Sequence, residues 1–321
     1  MNTLSAFLNS SINNLSKMWS YDDISQGAIN SAPDMLFSGC GAVLKHDMNL
    51  QWLSWFCEAL CFIDNSNDEK NLHDIFSLVR RGLINLGHEY NCEIQNTAVQ
   101  LALFLYRRQL SVNGRNRQRA TRQFKIELLE SAGKSPRCWI CNSKFTDESI
   151  ELFKGGGRPE IKLPEYIDFI FPRGLCERDL KIEIEHKHPF SKGGQDLYDD
   201  LSNVALSCGW CNRHKWNFLS LYEPGVASCS FYNHDKLGPM SIPEPFWIIR
   251  KMALSNGCEA PGCTVKRKNN LFIKLINPHG MANPLNLMVV CKSHLDNNYQ
   301  NRLVPSSEYK SRLGKRTAYI I

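Results

Sequence analysis

Between Lys181 and Asn217 the chain reads KIEIEHKHPFSKGGQDLYDDLSNVALSCGWCNRHKWN. Within it lie an acid–histidine pair (Glu185, His186), a glycine turn, Asn203, a cysteine pair (Cys208, Cys211), and Asn212 followed by Lys215. Each residue type has a chemical use. Imidazole is the side chain whose ordinary pKa lies near neutrality, so a histidine can take a proton from water. Carboxylate and amide oxygens suit a hard divalent cation such as Mg²⁺ or Mn²⁺. Thiolates suit zinc, and a second pair, Cys138 and Cys141, stands upstream. Together the two pairs make the tetrahedral complement of a structural Zn²⁺. A redox dithiol is the competing reading, but it needs only one pair.

These residues need elements to hold them. Ile182, Ile184 and His186 alternate with Lys181, Glu183 and Glu185, which predicts a strand. Pro189 ends it and the SKGG turn sends the chain back. A second strand around Val204–Leu206 then leads into a helix from about Trp210 to Leu221. On that helix Asn212, Lys215 and Trp216 share a face, while His214 points away and reads as a DNA contact or a surface residue. Lys215 is either a contact to the scissile phosphate or a solvated lysine. His188 ranks second to His186 as a base.

The pattern of acid, His, Pro, Gly-Gly, Asn, Cys-x-x-Cys, Asn and Lys resembles the HNH endonuclease motif, whose fold is the ββα-metal finger. It is met by Glu185, His186, Pro189, Gly193, Gly194, Asn203, Cys208, Cys211, Asn212 and Lys215. The resemblance implies that His186 is the general base and that Glu185 and Asn212 hold a catalytic Mg²⁺ or Mn²⁺. It also implies that Asn203 fixes the loop that orients His186.

Further on, the order helix, cysteine pair, strand, Pro, turn, Asn and knuckle recurs. Cys258, Cys263, Cys291 and His294 are the expected ligands of a second structural Zn²⁺, and Asn286 stands in the place of Asn203. Aligning Pro278 with Pro189 puts Lys274 and Leu275 where Glu185 and His186 stand, and Leu295 where Asn212 stands. This copy is therefore read as a degenerate, HNH-like or treble-clef unit that is structural or DNA-binding. His279 has no flanking acid and is discounted as a base. The basic segment Lys266, Arg267 and Lys268 is either a phosphate contact or a solvated loop.

The remaining chain frames these units. With 43% hydrophobic and 22% charged residues, the 321-residue chain has the composition of a globular protein of two or three domains. The net charge of +6 is unevenly spread: residues 1–106 hold 5 Lys+Arg against 11 Asp+Glu, and the remainder 33 against 21. A basic remainder suits a polyanion. Arg115, Arg117, Arg119 and Arg122 lie in an acid-free run, read either as a solvated helix face or, beside a nuclease motif, as a binder of phosphate. Gly114 is expected to split this run into a linker and a helix continuing to Gly133.

Residues 1–106 read as helices. Leu4–Trp19 and Leu72–Leu83, the latter capped by Asn71, have helical spacing. Leu50–Phe62 and Ile94–Tyr106 are apolar around most of their circumference and suit the inside of a bundle. Cys40, Cys57, Cys61, Cys92, Cys176 and Cys229 have no partner spacing and read as small buried hydrophobes. The GGG of residues 155–157 lacks what a phosphate loop needs and reads as a turn. No run is long and apolar enough to span a membrane, and MNTLSAFLNSS lacks the features of a signal peptide, so a cytoplasmic protein is expected.

The expected architecture is α+β: a helical domain over 1–110, an HNH domain over 111–222, and the degenerate zinc domain over 223–321. The function expected is hydrolysis of double-stranded DNA in restriction or anti-phage defence. The alternative is a catalytically silent, zinc-built nucleic-acid-binding protein. The helical domain is a candidate for a homodimer or partner-protein contact.

Overall fold

The computed structural model describes residues 3–14, 41–61, 70–112, 118–192, 194–198, 200–224, 231–266, 270–278, 280–295 and 299–312. Its first part is helical: α1 (Thr3–Asn14), α2 (Gly41–Leu60), α3 (Leu72–Asn85) and α4 (Cys92–Val112). The Asn71 side chain accepts from Asp74 N at 2.9 Å, closing the N-terminus of α3 as expected. The next turns of α3 bury Ile75, Val79 and Leu83 against Ala98, Ala102 and Leu105 of α4 and Cys57 and Leu60 of α2.

The segment Leu50–Phe62, expected to suit the inside of a bundle, is open on one side among the described residues. Trp52 and Trp55 are 59% and 60% exposed. Only one side of α2 meets α3 and α4, so the opposite side has no helix of this cluster to pack against. Arg107 and Arg108 belong to α4 rather than to a linker, and the following helix starts only at α5 (Arg122–Ser131), capped by Thr121. Cys57 and Cys61 are buried as expected, whereas Cys92 and Cys176 are exposed; Cys40 and Cys229 lie outside the described residues.

From α5 onward the chain builds one unit twice. After α5 come the knuckle at Cys138–Cys141, α6 (Asp147–Lys154), β1 (Tyr166–Asp168), α7 (Glu177–Leu180), β2 (Ile182–His186), β3 (Val204–Cys208) and α8 (Gly209–Lys215). Next come β4 (Phe231–His234) and β5 (Gly238–Ser241). After them, α9 (Pro245–Leu254), the Cys258–Cys263 knuckle, β6 (Leu271–Leu275), β7 (Leu287–Cys291) and a 3-10 turn (Lys292–His294) repeat the order. The last described elements are α10 (Tyr299–Arg302), β8 (Leu303–Pro305) and α11 (Ser306–Arg312).

The repeat extends to single hydrogen bonds. The antiparallel pair β2–β3 sets Ile182 opposite Cys208 and His186 opposite Val204; β6–β7 sets Leu271 opposite Cys291 and Leu275 opposite Leu287. Trp139 N donates to Leu206 O at 2.9 Å, and Glu259 N to Val289 O at 2.8 Å. Cys138 N donates to Ser143 O at 3.0 Å, and Cys258 N to Val265 O at 2.9 Å. The helix expected to run to Leu221 instead stops at Lys215, because Trp216 takes a positive φ of 45° that an α-helix cannot continue through.

One hydrophobic cluster joins both zinc-type units, drawing Trp210 and Leu206 from the first, and Ile249, Ile273 and Val289 from the second. Two ionic contacts staple distant segments onto it. Arg302 holds Asp168 through Nη2 at 2.8 and 2.9 Å, where β1 pairs with β8. Asp47, reaching in from α2, is 0% exposed and accepts from Leu221 N at 2.8 Å and Arg250 Nε at 3.1 Å. Removing one member of such a pair strands the other charge. Asp47→Ala is therefore expected to lower stability by about 3 kcal/mol, read as a shift of the denaturation midpoint of the zinc-loaded chain. An unshifted midpoint would show that the contact is not needed.

Candidate active site

Zinc-type geometry comes first, because it places everything else. The Sγ atoms of Cys138, Cys141, Cys208 and Cys211 lie within 4.8 Å of one another and all four residues are buried. Zn–S bonds of about 2.3 Å set tetrahedral sulfurs about 3.8 Å apart, and Cys141 and Cys208 stand at 4.0 Å. The second set, Cys258, Cys263, Cys291 and His294, forms the same kind of cluster. Cys263 and Cys291 are 3.9 Å apart, and His294 Nδ1 lies 3.6 Å from Cys258 Sγ and 3.3 Å from Cys291 Sγ. Both donor sets fit a tetrahedral zinc.

Charge agrees with this. Burial pushes the thiols of Cys138 and Cys211 well up, while hydrogen bonds from the neighbouring cysteines hold Cys141 well down. Four buried sulfurs cannot all ionise without a cation among them. Arg173 adds a further positive charge, donating from Nε to Cys208 Sγ at 3.2 Å. It comes from the insertion between the knuckles and has no sequence signal that marks it.

The side chains of the β2–β3–α8 finger are then set by strand alternation and helix spacing. Glu183 and Glu185, two apart on β2, both meet α8: Asn212 Nδ2 donates to Glu183, and Lys215 Nζ donates to Glu185 Oε1 at 2.7 Å. Lys215 Nζ also donates to the carbonyl of His186 at 2.8 Å. Lys215 is buried, so the solvated reading fails; burial lowers its pKa, and the Glu185 charge opposes that shift. Glu183 was missed as a site residue, although the two-residue strand period already placed it beside Glu185.

His186 closes β2. Its Nε2 lies 3.6 Å from Oδ1 of Asp196, and its ring centroid is 6.1 Å from that of Phe190. Asn203 sits across the turn, accepting from His188 N at 2.7 Å and donating to the carbonyls of His188 at 3.2 Å and Gln195 at 3.1 Å. Asn286 does the same in the second unit, accepting from Asn277 N at 2.7 Å and donating to Asn277 O and Met281 O at 2.9 Å. Each asparagine thus clamps the loop that follows the first strand. Gly194 lies so close to the His188 carbonyl that a Cβ there would collide with it. Gly193 and His279 lie outside the described residues.

His188 is half-buried, and burial lowers its pKa. His214, expected as a DNA contact or surface residue, instead packs its ring 4.3 Å from Trp210, and burial brings its pKa down to about 4. His214 stands one turn on from the buried Trp210 on the same side of α8 and is itself half-buried. Of the basic candidates, Arg119 is exposed, and Arg122, also exposed, donates from Nε to Lys154 O at 2.9 Å. Arg115 and Arg117, with Arg267 and Lys268, lie outside the described residues.

A hard catalytic cation needs oxygen ligands, and Mg²⁺ commonly takes only one or two carboxylates from the protein. The donors here fit that chemistry. Glu185 could supply a carboxylate, and with Asn212 Nδ2 committed to Glu183 its carbonyl oxygen is the atom of Asn212 that could bind a cation.

A β-hairpin and a helix folded round a four-cysteine cluster define a ββα finger of the zinc-built kind. Residues 174–218 match the family model of the HNH endonucleases, and this segment of the chain is an HNH endonuclease domain. The domain is that of a nuclease, and it implies a nucleic-acid substrate. No curated protein and no solved structure matches the chain significantly.

The clusters predict two zinc ions per chain by elemental analysis of the purified protein. Cys211→Ser and Cys263→Ser are each expected to lower that to about one. The first substitution should also lower the melting temperature more, since its cluster is the more buried. Zinc-free protein of native stability would refute the assignment.

Proposed function

We propose that the protein is a metal-dependent endonuclease that hydrolyses phosphodiester bonds in double-stranded DNA. The observation that carries the reading is the HNH match over a hairpin and helix in which Lys215 of the helix bonds both Glu185 and the backbone of His186. His186 takes a proton from the attacking water as its oxygen bonds to phosphorus, and the bond from phosphorus to the leaving sugar oxygen breaks. Glu185 and the amide oxygen of Asn212 would hold a divalent cation, Mg²⁺ or Mn²⁺, which would offset charge on the phosphate and leaving oxygen. Lys215 ties Glu185 to the backbone of His186, keeping ligand and base in fixed relation. Asn203 holds the following loop.

Binding falls to the basic part of the chain, with the Arg115–Arg122 run as the phosphate-facing segment. The degenerate unit supports the fold: Phe272, Lys274 and Leu295 stand where the first unit has Glu183, Glu185 and Asn212. A nuclease domain beside an acidic helical unit suits restriction or phage defence, where cutting is joined to recognition or to a partner.

The test is cleavage of methylated and unmethylated duplex DNA, single-stranded DNA and RNA under Mg²⁺, Mn²⁺ or EDTA. Metal-dependent cutting of duplex DNA is expected. His186→Ala should lower the rate by at least about a hundredfold, the scale of general-base catalysis, with zinc content and melting temperature unchanged. Full activity in that variant would remove His186 from the mechanism. Wild-type protein that binds DNA and cuts nothing would support a silent zinc-built binder instead.

A further inference from the structure

We infer that Asp196 is a positioning residue for His186, holding the imidazole through Nε2 so that Nδ1 is the nitrogen presented to the attacking water. The inference rests on the reading of His186 as the base. Asp196 is buried, and its Oδ1 lies 3.6 Å from the buried His186 Nε2, within ion-pair reach and a few tenths of an ångström beyond a hydrogen bond. A neutral imidazole has one N–H and one lone pair. An Nε2 turned onto a carboxylate carries the proton, and the lone pair then belongs to Nδ1.

The carboxylate is oriented from outside the pair. Its Oδ1 accepts from Leu197 N at 2.8 Å, and its Oδ2 accepts from Gln118 N at 3.1 Å. Gln118 belongs to the segment that leads from the basic run into α5. The same segment grips the loop a second time, with Thr121 N donating to Tyr198 Oη at 3.1 Å and Phe124 packing 4.8 Å from the Tyr198 ring. Asp196 therefore has both oxygens fixed by backbone N–H groups before it meets the histidine. The turn that delivers it depends on Gly194, whose lack of a side chain lets the chain pass the His188 carbonyl. The element proposed to meet phosphate and the group that orients the base are joined through one carboxylate.

Asp196→Asn keeps the size but cannot accept from both backbone donors, since one oxygen becomes an NH₂. The full zinc-loaded chain, labelled with ¹⁵N-histidine, is examined by long-range ¹H–¹⁵N correlation, with the His186 signals assigned by their loss in His186→Gln. The wild type is expected to show the Nε2–H tautomer at His186, and Asp196→Asn to lose that preference. In cleavage assays the variant is expected to lose between about tenfold and a hundredfold in kcat, the scale on which groups that orient a working imidazole act. KM for DNA should stay within about twofold of wild type.

An Nδ1–H tautomer in the wild type overturns the inference without reference to any variant. So does an Asp196→Asn protein with native zinc content and unchanged kcat. Should the wild type show the Nε2–H tautomer and cut no nucleic acid, the nuclease reading fails while the assignment of Asp196 to His186 stands.

Discussion

Four sulfurs drawn to one point set the geometry of the nuclease unit. Cys208 is the last residue of β3 and stands opposite Ile182, the first of β2, while Cys211 lies in the first turn of α8. Fixing those two sulfurs against Cys138 and Cys141 therefore fixes one end of the hairpin and the start of the helix together. His186 lies four residues along β2 from that end, about 13 Å at the rise of a strand. Asn212 and Lys215 follow Cys211 on the adjoining turns. His186 is thus held at a distance from the cluster by the hairpin that the cluster anchors. Four thiolates outnumber the charge of a zinc ion by two, and Arg173 offsets part of the excess. The second cluster replaces one thiolate by His294 and has less charge to offset.

On the helix-facing side of β2 the two units part. The first unit places Glu183 and Glu185 there, satisfied by Asn212 and Lys215. At the matching register of β6 stand Phe272 and Lys274, and Leu295 occupies the place of Asn212. A buried ion pair rarely stabilises more than an apolar pair of the same volume. The hairpin and cluster of the second unit form without the carboxylates, so the fold does not require them. The pair of Glu185 with Lys215 is therefore not what builds the hairpin or its cluster.

The parts legible in the sequence were those governed by local spacing. Both cysteine sets, both hairpins, the α3 cap and the alignment of Lys274 and Leu275 with Glu185 and His186 follow from period and motif, and the register of β6–β7 agrees with them. What escaped depends on contacts far apart in the chain. Asp196 comes to His186 only because the turn at Gly194 folds back, and Gln118 reaches it from 78 residues away. Lys215 reads in the sequence as a phosphate contact or a solvated lysine, and its burial shows only once β2 is laid against α8. Trp52 and Trp55 belong to a segment whose composition suits a core, yet exposure depends on how many neighbours the helix has. The early stop of α8 at Trp216 rests on a positive φ in a residue type that rarely adopts one.

The helical unit is tied to the nuclease unit in a way that bears on how the two work together. Helix α2 contributes Cys57 and Leu60 to the helical core, and Leu44 to the core shared by the two zinc-type units. One turn on from Leu44, Asp47 enters the same junction and binds Arg250 of α9 and the backbone at Leu221, just beyond α8. A single helix with residues in both cores cannot bend between them without exposing one. Asp47 thus fixes the helical unit to the zinc-type units through one buried carboxylate that serves Arg250 and the Leu221 backbone together.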